Sequence, residues 1–263
     1  MPETLLAKAR WLFVAWRLAE LTPILQVPSG FTLQQVVAVP ENFTTVFHAV
    51  TNDLGLELPW PRPPDWSPPH ESADILIWGG ASSVGQYALQ ILKYYGYRNV
   101  VTAASKSHSQ YLASLGARHV YDYRDPDVML EFEHNYIGRR VPGIDRDPRK
   151  PSPTIPFILD CIGSKEGSLT PIAKLAKKGA KVAVLLPVIL RDATDTVAPG
   201  YVMDPQGVVD WVEGVEVRGV RTHFYLEVSR TCTHTFGTGH LTCLAERVLC
   251  KAPSTGHYAS AAG

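Results

Sequence analysis

The 263-residue sequence predicts an α/β fold, a doubly wound parallel sheet, on three observations. Short apolar runs alternate with helical stretches of about ten residues between 74 and 186, the pattern of a parallel sheet covered on both faces. One run, Ile75-Leu-Ile-Trp78, enters the small-residue turn Gly79-Gly80-Ala81-Ser82-Ser83-Val84-Gly85 and then a helical pattern at once. Glycines also follow the helical stretches, at Gly116 and Gly179, where a left-handed residue is cheap.

Each element follows from its own residues. Residues 5–21, LLAKARWLFVAWRLAEL, read as an amphipathic helix packed on the domain, with a membrane-surface helix as the alternative. The uncharged core, 11–16, is too short to span a bilayer and poor for a signal peptide. Residues 31–40 read as extended. Asn42 precedes a helix with apolar residues at Val46, Phe47, Val50 and Leu54, and Gly55 is its stop. The stretch 59–69, PWPRPPDWSPP, is neither helix nor central strand. It reads as an ordered surface linker, although such a run also suits a proline-binding partner.

Strands are expected at 75–78, 99–103, 119–121, 157–161, 181–186 and 215–225. Helices are expected at 82–95, where Tyr87, Leu89, Ile91 and Leu92 are available to the core, and at 107–115, 169–177 and 207–212. Residues 138–156, rich in Arg, Asp and Pro, read as a surface insertion. Residues 227–263 show no sustained period and read as a weakly ordered tail. Three segments result: 1–72 with the proline-rich linker, 73–226, and 227–263.

Composition narrows the function. The chain is 45% hydrophobic and 19% charged, as soluble globular proteins are. Lys+Arg and Asp+Glu are 25 each, so no whole-chain field points to nucleic acid or an anionic membrane. Cys161 sits in an apolar run, and Cys232, Cys243 and Cys250 lie near the end. That is no disulfide framework, and it points to a reducing compartment, the cytoplasm. Cys232, His234, His240, Cys243 and Cys250 are irregularly spaced and lack a C-x-x-C pair, so no metal site is expected. No G-x-S-x-G elbow and no G-x-x-x-x-G-K-[ST] loop is present. Tyr94 and Tyr95 have Arg98 and Asn99, not lysine, four residues on.

The turn at 79–85 carries the chemistry. Its glycines bring backbone N–H groups close to a ligand, and the helix start adds unpaired donors and partial positive charge, which together suit a pyrophosphate. Ser82 and Ser83 offer hydroxyls. The spacing is not the strict G-x-G-x-x-G, since Gly80 and Gly85 are five apart, and an ordinary strand-to-helix turn looks similar. In NAD binders an acidic residue about 20 positions on holds the ribose. Twenty past Gly85 is Ser105, in Ser105-Lys106-Ser107-His108, with no carboxylate. That set attracts a 2′-phosphate and favours NADP(H) over NAD(H). Lys106 is equally suited to be a solvated first-turn lysine.

Six blocks in order now carry a resemblance: NFTTVFHAVTNDLGLELPWP, WGGASSVGQYALQILK, VVTAASKSH, SLGARHVYDYRDPDV, FILDCIG and VAVLLPV. Through them residues 36–226 resemble the medium-chain dehydrogenase/reductase superfamily, closest to the fungal zinc-binding-oxidoreductase and trans-enoyl reductase group. The resemblance implies a Rossmann-type NADP(H) domain in which Gly80, Ala81, Ser82, Ser83 and Val84 cradle the pyrophosphate. It implies Ser105, Lys106, Ser107 and His108 at the 2′-phosphate and Tyr123 along the adenosine. Leu185, Leu186 and Thr45 would lie by the nicotinamide. Core packing of the leucines and a half-buried strand-end tyrosine are the plain alternatives.

The implied activity is NADPH-dependent hydride transfer to an activated alkene, carbonyl or quinone of small size, with no strong acid or base at the reacting carbon; no catalytic residue is named. The implied macromolecular partners are a second copy of the chain or a polyketide synthase. The family also carries a β-rich, GroES-like substrate domain before the turn. Only 78 residues precede Gly79, so an incomplete remnant of that domain and a truncated chain are expected. A nucleotide-binding remnant without turnover, acting as an interaction module, is the second expectation.

Overall fold

The computed structural model describes residues 39–136 and 155–222. Residues Glu41–Thr222 form one compact unit. The expected helix at 5–21, most of the insertion at 138–156 and the tail at 227–263 lie outside the described residues.

Helix α1 (Val39–His48) runs into a single π-helical turn, Ala49–Asp53, and stops at Gly55 with φ 71°. It begins inside the run expected to be extended. Pro40 allows this, because a first-turn proline gives up no helical hydrogen bond. Phe43 and Phe47 bury an aromatic face, edge-on to Tyr87 at 6.4 Å and Tyr95 at 6.1 Å respectively. The proline-rich stretch is irregular, as its composition requires, and Arg62 donates to the Tyr94 carbonyl at 2.6 Å.

The core then alternates: β1 (Ile75–Trp78), α2 (Ser83–Tyr95), β2 (Val100–Ala104), a 3₁₀ turn (Lys106–His108), α3 (Ser109–Leu115) and β3 (His119–Asp122). After α4 (Val128–Tyr136) come β4 (Phe157–Asp160), a π-helical turn (Lys165–Leu169), α5 (Thr170–Leu175) and β5 (Lys181–Leu185). A two-stranded hairpin, β6 (Val188–Arg191) with β7 (Gly200–Val202), precedes β8 (Glu216–Val220). The main sheet is six-stranded and parallel throughout, in the order β3-β2-β1-β4-β5-β8. This is the doubly wound arrangement expected, with its reversal of direction between β1 and β4.

Strands β1, β2 and β4 are buried along their whole length, which is why they read as unbroken apolar runs. On one face Leu76, Trp78, Val101, Ala103 and Ile158 pack with Phe132 of α4 and with Ile172 and Leu175 of α5. Trp78, Phe132 and Tyr121 stack there, with centroids 6.3 and 3.9 Å apart. The expected helix at 207–212 is absent and the segment is a turn. Val208, Val209 and Trp211 lie against the core from an irregular backbone. The Pro205 carbonyl accepts both the Val208 amide and the Trp211 indole, competing with a helical ladder. Helix α4 and the β6–β7 hairpin were not legible in the sequence.

Candidate functional site

Sheet order gathers the candidate residues at one edge. The chain leaves β1 outward through β2 and β3, then returns to the other side of β1 as β4. In such sheets a crevice forms beyond the strand carboxyl ends at the reversal. The glycine turn follows β1. Ser105 follows β2, Tyr123 follows β3, Cys161–Gly163 follow β4, Leu185 ends β5 with Leu186 next, and Thr222 follows β8.

The turn is held tightly. Gly79 has φ 87°, and its amide donates to the Ala103 carbonyl at 2.9 Å. A side chain on Gly80 would collide with Thr102, a fully buried residue whose hydroxyl donates to the Ile77 carbonyl at 2.7 Å. A Cβ on Gly85 would run into the Gly79 carbonyl oxygen and lie 2.7 Å from the Gly80 Cα. These two glycines therefore exist for close approach of helix to strand. Ser82 caps α2: its hydroxyl accepts from the Gly85 amide at 3.1 Å and donates to the Gly79 carbonyl at 2.8 Å. The Ser82 hydroxyl is thus committed to the turn itself. The amides of Ser83 and Val84, at the first two helical positions, have no intrahelical acceptor. Gln86 fixes the Ala81 carbonyl at 2.8 Å.

At the end of β2, Ser105 leads the 3₁₀ turn without capping it, and Lys106, Ser107 and His108 are exposed. Tyr123 is 46% exposed, with the Arg124 guanidinium 5.0 Å above its ring. Leu186 leads into a cis peptide with Pro187, and its side chain packs over Gly219. Thr45 is buried, and its hydroxyl lies 3.2 Å from that of Thr222.

Sequence reasoning missed the loop after β4. Asp160 is 0% exposed. Its Oδ1 accepts the amides of Ile162 at 2.9 Å and Gly163 at 3.2 Å, and its Oδ2 accepts the Ser168 hydroxyl at 2.7 Å. Burial pushes its carboxyl up to about 6, against those three hydrogen bonds. Burial, and the Asp160 charge beside it, also push the Cys161 thiol far up. Ile162 is 45% exposed and sits where a Gly79 Cβ would lie 2.6 Å from its Cδ1. Gly163, with φ 61°, leaves no room for a side chain against the Leu185 carbonyl. The signal was present as Asp-x-x-Gly closing an apolar run, with a serine eight residues after the Asp.

A second buried polar pair lies in the α1 segment. His48 Nε2 is 3.8 Å from Asp53 Oδ2, and burial raises the Asp53 carboxyl despite His48, Asn52 and Arg218. Two clefts of about 440 Å³ each open on the surface. One is lined by Asp53, Gln206, Arg218 and Arg221, the other by His119, Glu131 and His134, and neither includes the glycine turn. Among the described residues no group of three or more His, Cys, Asp or Glu side chains could hold a metal ion. Among them, too, no helix is long and apolar enough to cross a membrane.

No protein-family model matches the chain. A zinc-type alcohol dehydrogenase-like protein of Schizosaccharomyces pombe is 38% identical over 106 residues, 39% of this chain and 29% of the relative. A trans-enoyl reductase of Fusarium sp. is 26% identical over 203 residues, 76% of this chain and half of the relative. Over part of their length the chain is similar to fungal trans-enoyl reductases and zinc-type alcohol dehydrogenase-like proteins. This bears out the resemblance drawn from the six blocks. The crystal structure of the CurK enoyl reductase shares the fold, with a TM-score of 0.54 at 15% identity, over 89% of this chain and 57% of that one. The chain spans half or less of the length of the curated relatives it matches.

Proposed function

We propose that residues 73–226 form an NADP(H)-binding domain and that the chain is an NADPH-dependent oxidoreductase of the enoyl or quinone reductase type. The observation that carries this reading is the glycine turn at the sheet's reversal, where Gly80 and Gly85 bring the start of α2 close against β1 and β2 and leave the Ser83 and Val84 amides without an intrahelical acceptor. A bound nicotinamide supplies a hydride to an activated alkene, carbonyl or quinone.

The chain's own residues bind and orient. The amides of Ala81, Ser83 and Val84 meet the pyrophosphate, aided by the N-terminal charge of α2, while the Ser82 amide holds the turn through the Gly79 carbonyl at 3.0 Å. Lys106, with Ser105, Ser107 and His108, meets the 2′-phosphate, and no carboxylate stands there to repel it. Tyr123 flanks the adenosine. Leu185, Leu186 and Thr45 border the nicotinamide from the far side of the reversal. Oxidoreductase names among the relatives support the reaction class. The substrate is a small molecule, and the cysteine usage favours the cytoplasm.

Titrating purified protein with NADPH and NADH tests the reading. NADPH binding at least ~10-fold tighter, about 1.4 kcal/mol, supports it, and no binding of either ends it. A second reading, a nucleotide-binding module without turnover, draws on the described residues before Ile75, which hold no strand. Steady-state NADPH oxidation with α,β-unsaturated thioesters and quinones separates the two.

A further inference from the structure

Asp160 is the last residue of β4, and Cys161 and Ile162, which follow it, lie beside Gly79 of the glycine turn. The Cys161 amide donates to the Trp78 carbonyl at 2.9 Å, and a Cβ on Gly79 would lie 3.5 Å from that of Cys161. Among the described residues no cation offsets its charge: its environment is burial plus the Ile162, Gly163 and Ser168 donors. Its register neighbours are Trp78 on β1 and Val184 on β5, neither of them titratable. Cys161 is its titratable neighbour and stays a neutral thiol. Lys165 and Glu166 are the charged residues of the π-helical turn that carries Ser168.

The groups around Oδ2 accommodate two protonation states. With Asp160 ionised, the Ser168 hydroxyl donates to Oδ2 at 2.7 Å and accepts the Ser164 amide at 3.0 Å. The same hydroxyl lies 3.0 Å from the Ser164 carbonyl. Turned to donate there, it becomes an acceptor for a proton on Oδ2, since a hydroxyl has one donor and two acceptor sites. Oδ1 keeps the Ile162 and Gly163 amides in either state. The loop is therefore held whether the carboxyl is charged or neutral.

We propose that Asp160 couples binding of the anionic dinucleotide to uptake of one proton, taken from solvent onto Oδ2 as the Ser168 hydroxyl turns to the Ser164 carbonyl. This rests on the cofactor reading above. An anion over the turn repels the buried carboxylate, which favours the neutral acid. The empty protein already holds that carboxyl near 6, so a modest further rise brings it into the neutral range. Affinity then rises as pH falls from about 8 toward 5. Asp160 is a positioning residue here; it does not touch the reacting atoms.

The test is NADPH binding by calorimetry, in two buffers of different ionisation enthalpy, to the whole chain and to Asp160→Asn. Asparagine can keep the Oδ1 bonds and donate to Ser168, so it mimics the neutral acid. For a rise of about one pK unit, the wild type takes up about half a proton more than the variant at pH 6.5. It also binds NADPH up to ~10-fold more weakly than the variant at pH 8, with the gap closing at pH 5. The 2′-phosphate titrates in both proteins and cancels. Ser168→Ala, which removes a donor to the ionised form, moves the wild-type window to higher pH. A window unmoved by that change overturns the proposal. Equal proton counts and pH profiles in wild type and Asp160→Asn overturn the coupling alone. A wild type that binds no NADPH at any pH overturns the cofactor reading and the coupling with it.

Discussion

Replacing Asp160 with asparagine should stabilise the fold at neutral pH, by an amount that depends on pH in a defined direction. The carboxyl sits near 6 in the folded chain against 3.8 for an ordinary Asp. A group raised on folding binds more protons folded than unfolded between those values. Its contribution is fully present below about 3.8 and is lost as pH rises through about 6. The difference of about 2 pK units, at 1.36 kcal/mol each, is a cost on the order of 3 kcal/mol at pH 7.5. Asparagine is neutral throughout and escapes it. Urea unfolding, followed by tryptophan fluorescence, measures both proteins from pH 4 to pH 7.5. The stability of the variant relative to wild type should grow by about 2–2.5 kcal/mol over that range, because part of the cost is already present at pH 4. Any fixed cost of the amide drops out of that slope, and Asp53, also raised, titrates in both proteins. A difference independent of pH, or one that shrinks as pH rises, would refute the reasoning, because the carboxylate would then be held as comfortably as in water.

Other substitutions test the turn. Gly85→Ala forces a methyl onto backbone atoms of Gly79 and Gly80 that cannot step aside. It should cost about 1–3 kcal/mol and at least ~10-fold in NADPH affinity, read by urea unfolding and cofactor titration. Gly179→Ala is its control: φ is 88° but nothing lies within 4 Å, so about 1–2 kcal/mol is lost with affinity unchanged. Ser82→Ala removes the α2 cap and should cost about 1 kcal/mol in the same unfolding assay. Lys106→Glu should weaken NADPH by ~10-fold or more and leave NADH within about twofold; equal losses for both nucleotides would mean the lysine is only solvated surface.

The sheet was legible because its strands are buried on both faces. Ile75–Trp78, Val100–Ala104 and Phe157–Asp160 carry apolar runs that few other structures explain, and the expected boundaries fall within one residue of these. Helix α4 was missed because only Val128 and Phe132 are buried along it, too short a stripe to register as a period. The hairpin was missed because Leu190 and Tyr201 face outward, which removes the alternation that marks a half-buried strand. The helix at 207–212 was expected from apolar spacing alone, and spacing does not register the competing bonds to the Pro205 carbonyl.

The candidate site divides along the same physical line. The turn at 79–85 could be read because glycine, serine and the following helix are contiguous, so local chain geometry alone places the amides. Thr45 and Thr222 stand 177 residues apart, and only the sheet order brings their hydroxyls together. Asp160 was hidden for a different reason. A net charge of zero says nothing about one carboxylate that the fold removes from water with no cation beside it among the described residues. Such a group is costly unless donors meet its charge or it takes up a proton, and the serine beside it can serve either form. The buried carboxyl and the glycine turn therefore belong to one electrostatic unit at the carboxyl edge of the sheet. The turn offers positive potential where an anion would sit, and the carboxyl can discharge itself when one arrives.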